Sequence, residues 1–192
     1  MGRLVYSYLA SLDGYIADAS GAFDWAEPDE QVLAFINELE RGVSTYLYGR
    51  RIYEMMVVWE TDPDLAASSP MSGEFAGIWQ QADKVVFSRT MDEVATRRTR
   101  IEREFDRATV EAIKASVDGD LAVSGATLAA VAARLGLIDE VQVFLAPVVV
   151  GGGQRMFPDG VWQDLTLRDE RRFDNGMVWL RYDVAPPAGT AS

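Results

Sequence analysis

A chain of 192 residues, 48% hydrophobic and 25% charged, reads as one globular domain with a sizeable core, expected here over residues 1–185. It contains no His and no Cys, which excludes a Ser-His-Asp triad, a Cys nucleophile, zinc-ligand motifs and disulfides, so no metal site is expected. The formal net charge of -12 opposes a nucleic-acid or anionic-membrane surface, since both depend on many Lys/Arg contacts.

In chain order, residues 4–9 form an apolar, β-favouring run closed by the turn signal Asp13-Gly14. The first ten residues reach Asp13 too soon for a signal peptide, and Tyr6 stands where a myristoylation signal wants Ser or Thr. The longest apolar run, 143–150, is too short to span a bilayer, so a cytoplasmic protein is expected. Residues 18–28 read as a loop, and 29–41 carry Val32, Leu33, Phe35, Ile36 and Leu39 at helical spacing. A short strand at 45–48 ends at Gly49, and 50–58 can be a helix. The Pro-, Ser- and Asp-rich residues 62–73 read as a loop, followed by a helix over 74–82 and a buried strand over 85–87. A helix over 109–116 and a strand over 121–123 precede the clearest helix, 126–135, which Gly136 can stop. A long β run at 141–150 contains Pro147. Residues 165–173 and 177–184 look like a hairpin around Asp174-Asn175-Gly176, and 186–192 read as a disordered tail.

Strands alternating with helices imply an α/β architecture: a largely parallel sheet with helices on both faces and a terminal antiparallel hairpin at one edge. In such sheets ligands bind beyond the carboxyl ends of the strands. Three expected strands end alike there. Gly49-Arg50-Arg51 opens a helix, Ser88-Arg89-Thr90 follows a strand, and Ser124-Gly125-Ala126-Thr127 opens the clearest helix. Helix N-termini and permanent cations suit phosphate, and several together suit a dinucleotide. Taken alone, Gly49 is also readable as a strand cap, an Arg after a strand as a solvated end, and Ser124-Gly125 as an N-cap. Gly151-Gly152-Gly153 is not a dinucleotide fingerprint, because the third Gly of GxGxxG falls at Met156. Neither Lys84 nor Lys114 follows Gly, so a phosphate loop of the Gly-Lys type is absent.

The segment Ser11-Leu12-Asp13-Gly14-Tyr15-Ile16-Ala17 reads either as a tight turn capped by Asp13 or as a pocket floor. In the second reading Ile16 and Ala17 offer backbone groups to a carboxamide and Asp13 faces the substrate. Trp25, Tyr53 and Trp59 are candidate pocket walls, although aromatics are more often core.

In order and spacing these motifs, with Phe23-Asp24-Trp25, Leu137-Ile138-Asp139-Glu140 and the run 147–153, make the chain similar to the dihydrofolate-reductase-like family. Within it, the chain resembles the branch of the reductase domain of bacterial riboflavin biosynthesis. The resemblance covers roughly residues 3–184 and implies a three-layer αβα fold with NADPH as cofactor. It implies that Ile16 and Ala17 meet the nicotinamide and that Gly49, Arg50, Arg51 and Ile52 sit by the phosphates. It further implies that Ser88 and Arg89 contact the 2′-phosphate end, and Gly125, Ala126, Thr127 and Leu128 the pyrophosphate. The implied activity is hydride transfer to a C=N or C=O group of a small pterin- or pyrimidine-like heterocycle, with Asp13 or Glu30 holding the water that supplies the proton. Gln31 and Ala34 replace the bulky apolar neighbours of a pterin-gripping acid, which points away from folate itself. The resemblance also suggests a homodimer, for which the sequence offers only the C-terminal hairpin as a surface. Two alternatives stand beside the reductase: a non-catalytic module that binds NADPH or another nucleotide, and a purely structural dimer.

Overall fold

The computed structural model describes residues 2–185, so the tail expected at 186–192 lies outside the described residues. β1 (Leu4–Ser11) and β2 (Tyr15–Ala17) lead through a 3-10 turn (Asp24–Ala26) into α1 (Glu30–Glu40). β3 (Val43–Gly49) is followed by α2 (Arg50–Met56), α3 (Val58–Thr61), α4 (Pro63–Ala67) and α5 (Pro70–Gln81). Then come β4 (Asp83–Phe87), β5 (Thr99–Glu102), α6 (Arg107–Ser116), β6 (Asp120–Ser124) and α7 (Ala126–Arg134). β7 (Glu140–Ala146), β8 (Gln154–Arg155), β9 (Leu165–Arg172) and β10 (Val178–Val184) complete the chain.

Eight strands form one sheet in the order β5-β4-β3-β6-β1-β7-β10-β9. The first six run parallel, and β10 and β9 add two antiparallel pairings. The expected mixed, mostly parallel α/β sheet with an antiparallel C-terminal hairpin is therefore present. Because successive strand residues point to opposite faces, each central strand feeds two cores. Leu4, Tyr6, Leu47, Val85, Leu121 and Val123 pack against Val110 and Ile113 of α6 and Ala129, Ala132 and Ala133 of α7. On the other face Tyr46, Tyr48, Val86 and Ala122 lie with Tyr53 of α2 and Trp79 of α5. Phe144, Ala146 and Trp179 lie beneath Val32 and Phe35 of α1 on that same alternate set. Two helical layers thus enclose the sheet.

Several boundaries depart from the sequence expectation for physical reasons. Residues 62–73 are not a loop. Asp62 accepts from the Asp64 and Leu65 amides, Ser69 accepts from the Ser72 amide, and Pro63 and Pro70 occupy first helical positions. The same Pro, Ser and Asp that suggest a loop are start signals for two helices. The expected helix 50–58 divides at Val57, and the strand expected over 141–150 ends at Ala146, because Pro147 has no N–H for the ladder. β5 was not expected; only its pairing with β4 makes it a strand.

Candidate functional site

The parallel strands reach the same edge of the sheet at two heights. Gly49 stands opposite Phe87 and Tyr48 opposite Ser124, so the turns after β3, β4 and β6 leave the sheet at one level. β1 is paired with β6 only as far as Tyr6–Val123, yet it runs on with β7 until Ser11 meets Ala146. Residues 8–11 therefore stand above the end of β6 by about 13 Å, at roughly 3.3 Å per residue. The result is a floor of three turns against a wall made by β1 and β7.

The three turns touch. The Arg50 guanidinium donates to Thr90 Oγ1 at 3.3 Å and to Glu54 at 2.7 Å, joining the β3 and β4 turns. A Cβ on Gly125 would lie 2.7 Å from Ile52 Cγ1, joining the β3 and β6 turns. Gly125 was expected to let backbone approach a ligand. Its φ of +94 and the crowding by Ile52 are the reasons for Gly here. Asp29, Ser69 and Asp106 cap α1, α5 and α6 with side-chain oxygens, whereas α7 starts from Gly125 with no side-chain cap. Its first amide groups are left free towards the turn floor. Beside it, Ala126, Thr127, Gln154, Arg155 and Phe157 line a cleft of about 230 Å³.

Arg155 is the site residue that the sequence reading missed. β8 pairs with β2, placing Arg155 opposite Tyr15, with the guanidinium 5.2 Å from the Tyr15 ring centre. Among the described residues it forms no ion pair. A lone Arg following three glycines in an acidic chain was the available signal.

Other candidates sit differently from expectation. Asp13, half-buried, accepts from the Val150 and Gly151 amides at 3.2 and 2.8 Å. A hydrogen bond from Ser11 and these amides hold its carboxyl below the usual carboxylate range. It is a latch between the β1–β2 turn and the loop after β7, and an ionised one near neutrality, which is the wrong form for donating a proton. Glu30 is exposed in the first turn of α1 with no side-chain hydrogen bond among the described residues. Trp25 is half-buried, donates to the Ala22 carbonyl and, like Leu9 and Val148, packs against the buried cluster of Ala26, Val32 and Phe144 at the α1 side of the wall. Ile16 and Ala17 lie in β2. Ser88 is buried, and its hydroxyl accepts from the Thr90 and Met91 amides, so it holds its own turn. Arg89 and Arg51 are exposed, with only a loose 3.7 Å pair from Arg89 to Glu104. Leu128 packs into the core under α7 rather than lining the cleft.

Tyr53 and Trp59 are not pocket walls. Tyr53 is buried, and its oxygen accepts from the Ala95 and Thr96 amides at 2.8 and 3.1 Å. Thr99 donates to the Arg97 carbonyl, so Thr96 donates to Thr99 and Tyr53 to Thr96. Trp59 packs edge-on against Phe75 in the helical layer. Tyr53→Phe leaves two amides without their acceptor and should lower stability by about 1–3 kcal/mol. Urea unfolding would register this, while nucleotide binding stays unchanged; a lining residue would give the reverse.

A larger cleft, about 390 Å³, opens at the amino ends of β3, β4 and β6, far from the turns. Its two guanidinia are already engaged, Arg41 with Glu74 and Arg98 with Asp83. Among the described residues no cluster of three or more acidic side chains is placed to hold a metal ion, and no helix is long and apolar enough to cross a membrane.

A family model described as the RibD C-terminal domain matches residues 3–179. An uncharacterised Bacillus subtilis (strain 168) protein, YyaP, is 29% identical over 188 residues, 94% of each chain. A candidate riboflavin biosynthesis protein of Shewanella sp. PV-4 superposes with a TM-score of 0.74 at 21% identity, covering 95% of this chain and 99% of that one. A Corynebacterium diphtheriae pyrimidine reductase-like protein gives 0.64 at 13%, covering 96% and 92%. The Thermotoga maritima diaminohydroxyphosphoribosylaminopyrimidine deaminase/5-amino-6-(5-phosphoribosylamino)uracil reductase also gives 0.64, at 17% identity. This chain covers only 57% of that bifunctional protein.

Proposed function

Because the chain belongs to the RibD C-terminal domain family, we propose that it is an NADPH-dependent reductase acting on a small pterin- or pyrimidine-like heterocycle at a C=N or C=O group. One observation carries the reading: the turns after β3, β4 and β6 share one level, with α7 lacking a side-chain cap and, beside it, Arg155 without an ion pair among the described residues. That donor set fits a dinucleotide phosphate group, since free helix amides and fixed cations both favour anions. In a chain of net charge -12 such a concentration of donors needs a reason.

Bound NADPH would supply the hydride, which suits a protein with no His or Cys. The protein's share is positioning. The α7 amides, Thr127 and Arg155 would hold the pyrophosphate, Arg50 the neighbouring phosphate oxygens, and Arg89 the 2′-phosphate. The backbone of Ile16 and Ala17, fixed by the β2–β8 pairing, would orient the carboxamide. Trp25 would border the acceptor, with Glu30 at the rim as the remaining carboxylate for a proton-bearing water.

A charge-assisted hydrogen bond contributes about 1.5–3 kcal/mol, so each lost arginine should weaken binding roughly tenfold or more. Arg155→Ala is expected to weaken NADPH and NADH alike, whereas Arg89→Ala weakens NADPH selectively; calorimetric titration measures both. An Arg155→Ala variant binding both coenzymes normally would defeat the assignment. Asp13's engagement favours a second reading, a non-catalytic NADPH-binding module. Loss of reduced-nicotinamide absorbance over a panel of pterins, pyrimidines and carbonyl compounds separates them: tight binding without turnover selects the module.

A further inference from the structure

The carboxyl edge of the sheet has two halves of opposite electrical character. On the turn floor α7 begins at Gly125 with no side-chain cap, Arg155 lines the same cleft, and Arg50 joins the β3 and β4 turns. On the other half α1 begins closed. Asp29 accepts from the Val32 amide at 2.9 Å, and Glu30 follows in the first turn. Two carboxylates at a helix start offset the positive end of its dipole and leave little for an outside anion. The segment leading into α1 is fixed against the wall. Asp18 accepts from the Ser20 and Ala22 amides at 2.8 and 3.0 Å, Ala26 is buried with Val32 and Phe144, and the Asp174 amide donates to Gln31 at 3.0 Å.

Residues 4–40, which carry β1, β2 and α1, contain eight Asp or Glu and no Lys or Arg. Residues 52–83, from the first turn of α2 to the start of β4, contain six and again no Lys or Arg. Cations of neighbouring segments point elsewhere. Arg41 caps the far end of α1 and is paired with Glu74. Arg171 lies over the Phe35 ring at 4.5 Å. Phe35 stands about 160° round the helix from Asn37, which donates to the Met71 carbonyl of α5. Arg171 is therefore on the outer flank of α1, away from the side that faces α5, and Arg172 points to the opposite face of the sheet. Apolar surface stands where cations are missing. Leu12, Phe23 and Val149 are more than half exposed, and the Leu12 amide donates to the Val148 carbonyl at 2.8 Å, which sets Leu12 beside Val149. Exposed apolar groups gathered beside a cleft mark a ligand surface.

Resting on the reductase reading, we propose that the acceptor carries neither phosphate nor carboxylate: it is an uncharged heterocycle with an apolar substituent, and the donors that hold anions serve the coenzyme alone. A phosphate monoester brings nearly two negative charges near neutrality. On the α1 half it would meet Asp24, Glu27 and Glu30, all exposed, and no cation to offset them. The test uses protein loaded with NADP+ and probes that differ only in a phosphate: 6-hydroxymethylpterin against its phosphate ester, and 5-amino-6-ribosylaminouracil against its 5′-phosphate. Calorimetry should find the parent of at least one pair bound at least tenfold more tightly than its ester, with the gap narrowing as salt is raised. Asp24→Lys/Glu27→Lys supplies the missing cations and should narrow that gap at least threefold by strengthening the ester; circular dichroism and NADP+ affinity check that the variant is intact. An ester bound as well as its parent, a gap indifferent to the two lysines, or loaded protein that takes neither member of either pair would overturn the proposal. Protein that takes up no NADP+ would instead remove the reductase reading beneath it.

Discussion

Gly153→Ala is expected to unzip β2 from β8 and to cost the proposed coenzyme site more than any change in the arginines. Gly153 has φ +125, and a Cβ there would lie 2.1 Å from the Ala17 carbonyl oxygen and 2.4 Å from the Asp18 carbonyl carbon. Backbone cannot yield as a flexible side chain can. Strain at such a φ costs about 1–3 kcal/mol before the overlap is counted. β2 and β8 have three and two residues, so the chain escapes by parting them rather than by unfolding. Hydrogen exchange should therefore accelerate at the Met156 amide, which donates to the Gly14 carbonyl. NADPH affinity should fall more than tenfold as Arg155 leaves the cleft, while the global melting temperature moves only a few degrees. The neighbours are controls. Gly151 has φ +75 and open space, so Gly151→Ala should cost about 1–2 kcal/mol. Gly152 has neither constraint, and Gly152→Ala should stay within about 0.5 kcal/mol. Equal behaviour of the three variants would refute the close approach.

The same contrast explains what was legible in the sequence. The strand-to-helix turns at Gly49-Arg50 and Ser124-Gly125-Ala126 are local, so a strand pattern, a Gly and a helix pattern in succession locate them. Their convergence follows from the parallel sheet that the alternation of elements demands. What escaped depends on distant partners. Asp13 is held by amides 137 and 138 positions away, and nothing beside it distinguishes a latch from an acid. Tyr53 finds its hydrogen bonds 42 and 43 residues on, so spacing alone cannot tell a satisfied core hydroxyl from a pocket wall. Arg155 becomes a cleft residue only because β8 adds to β2. At Asp62 and Ser69 the error was local: the residue types that end loops are the ones that begin helices.

Glu140→Ala should be the most damaging single change to the sheet's far side, yet it should leave coenzyme affinity per folded molecule untouched. Glu140 is 1% exposed and accepts from Arg3 and Arg181 at 2.8 Å each and from Gln142 at 2.6 Å. Arg3 continues to Asp183 at 2.6 Å, and Arg168 reaches Asp183 from β9. One carboxylate thus binds the start of β1 to β7 and β10, and through Asp183 to the edge strand. Its removal leaves Arg3 and Arg168 sharing Asp183 and leaves Arg181 without an ion pair among the described residues. Breaking a fully buried pair costs about 3–5 kcal/mol. Here Arg3 and Arg181 are 38% and 36% exposed and can turn towards water, so a loss of about 2–3 kcal/mol is expected. Glu140→Gln keeps the shape without the charge and should lose roughly half as much, since neutral hydrogen bonds are about half as strong. Urea midpoints at neutral pH measure both. Acid gives an independent handle. The hydrogen bond from Arg3, then that from Arg168, lower the Asp183 pKa. Its contribution is therefore present above the ordinary carboxylate value, about 4, and is lost as pH falls through the lower folded value. Asp183→Asn should remove that share of the acid sensitivity, which sets in as pH falls below about 4, while sparing the rest, which belongs to the other paired carboxylates.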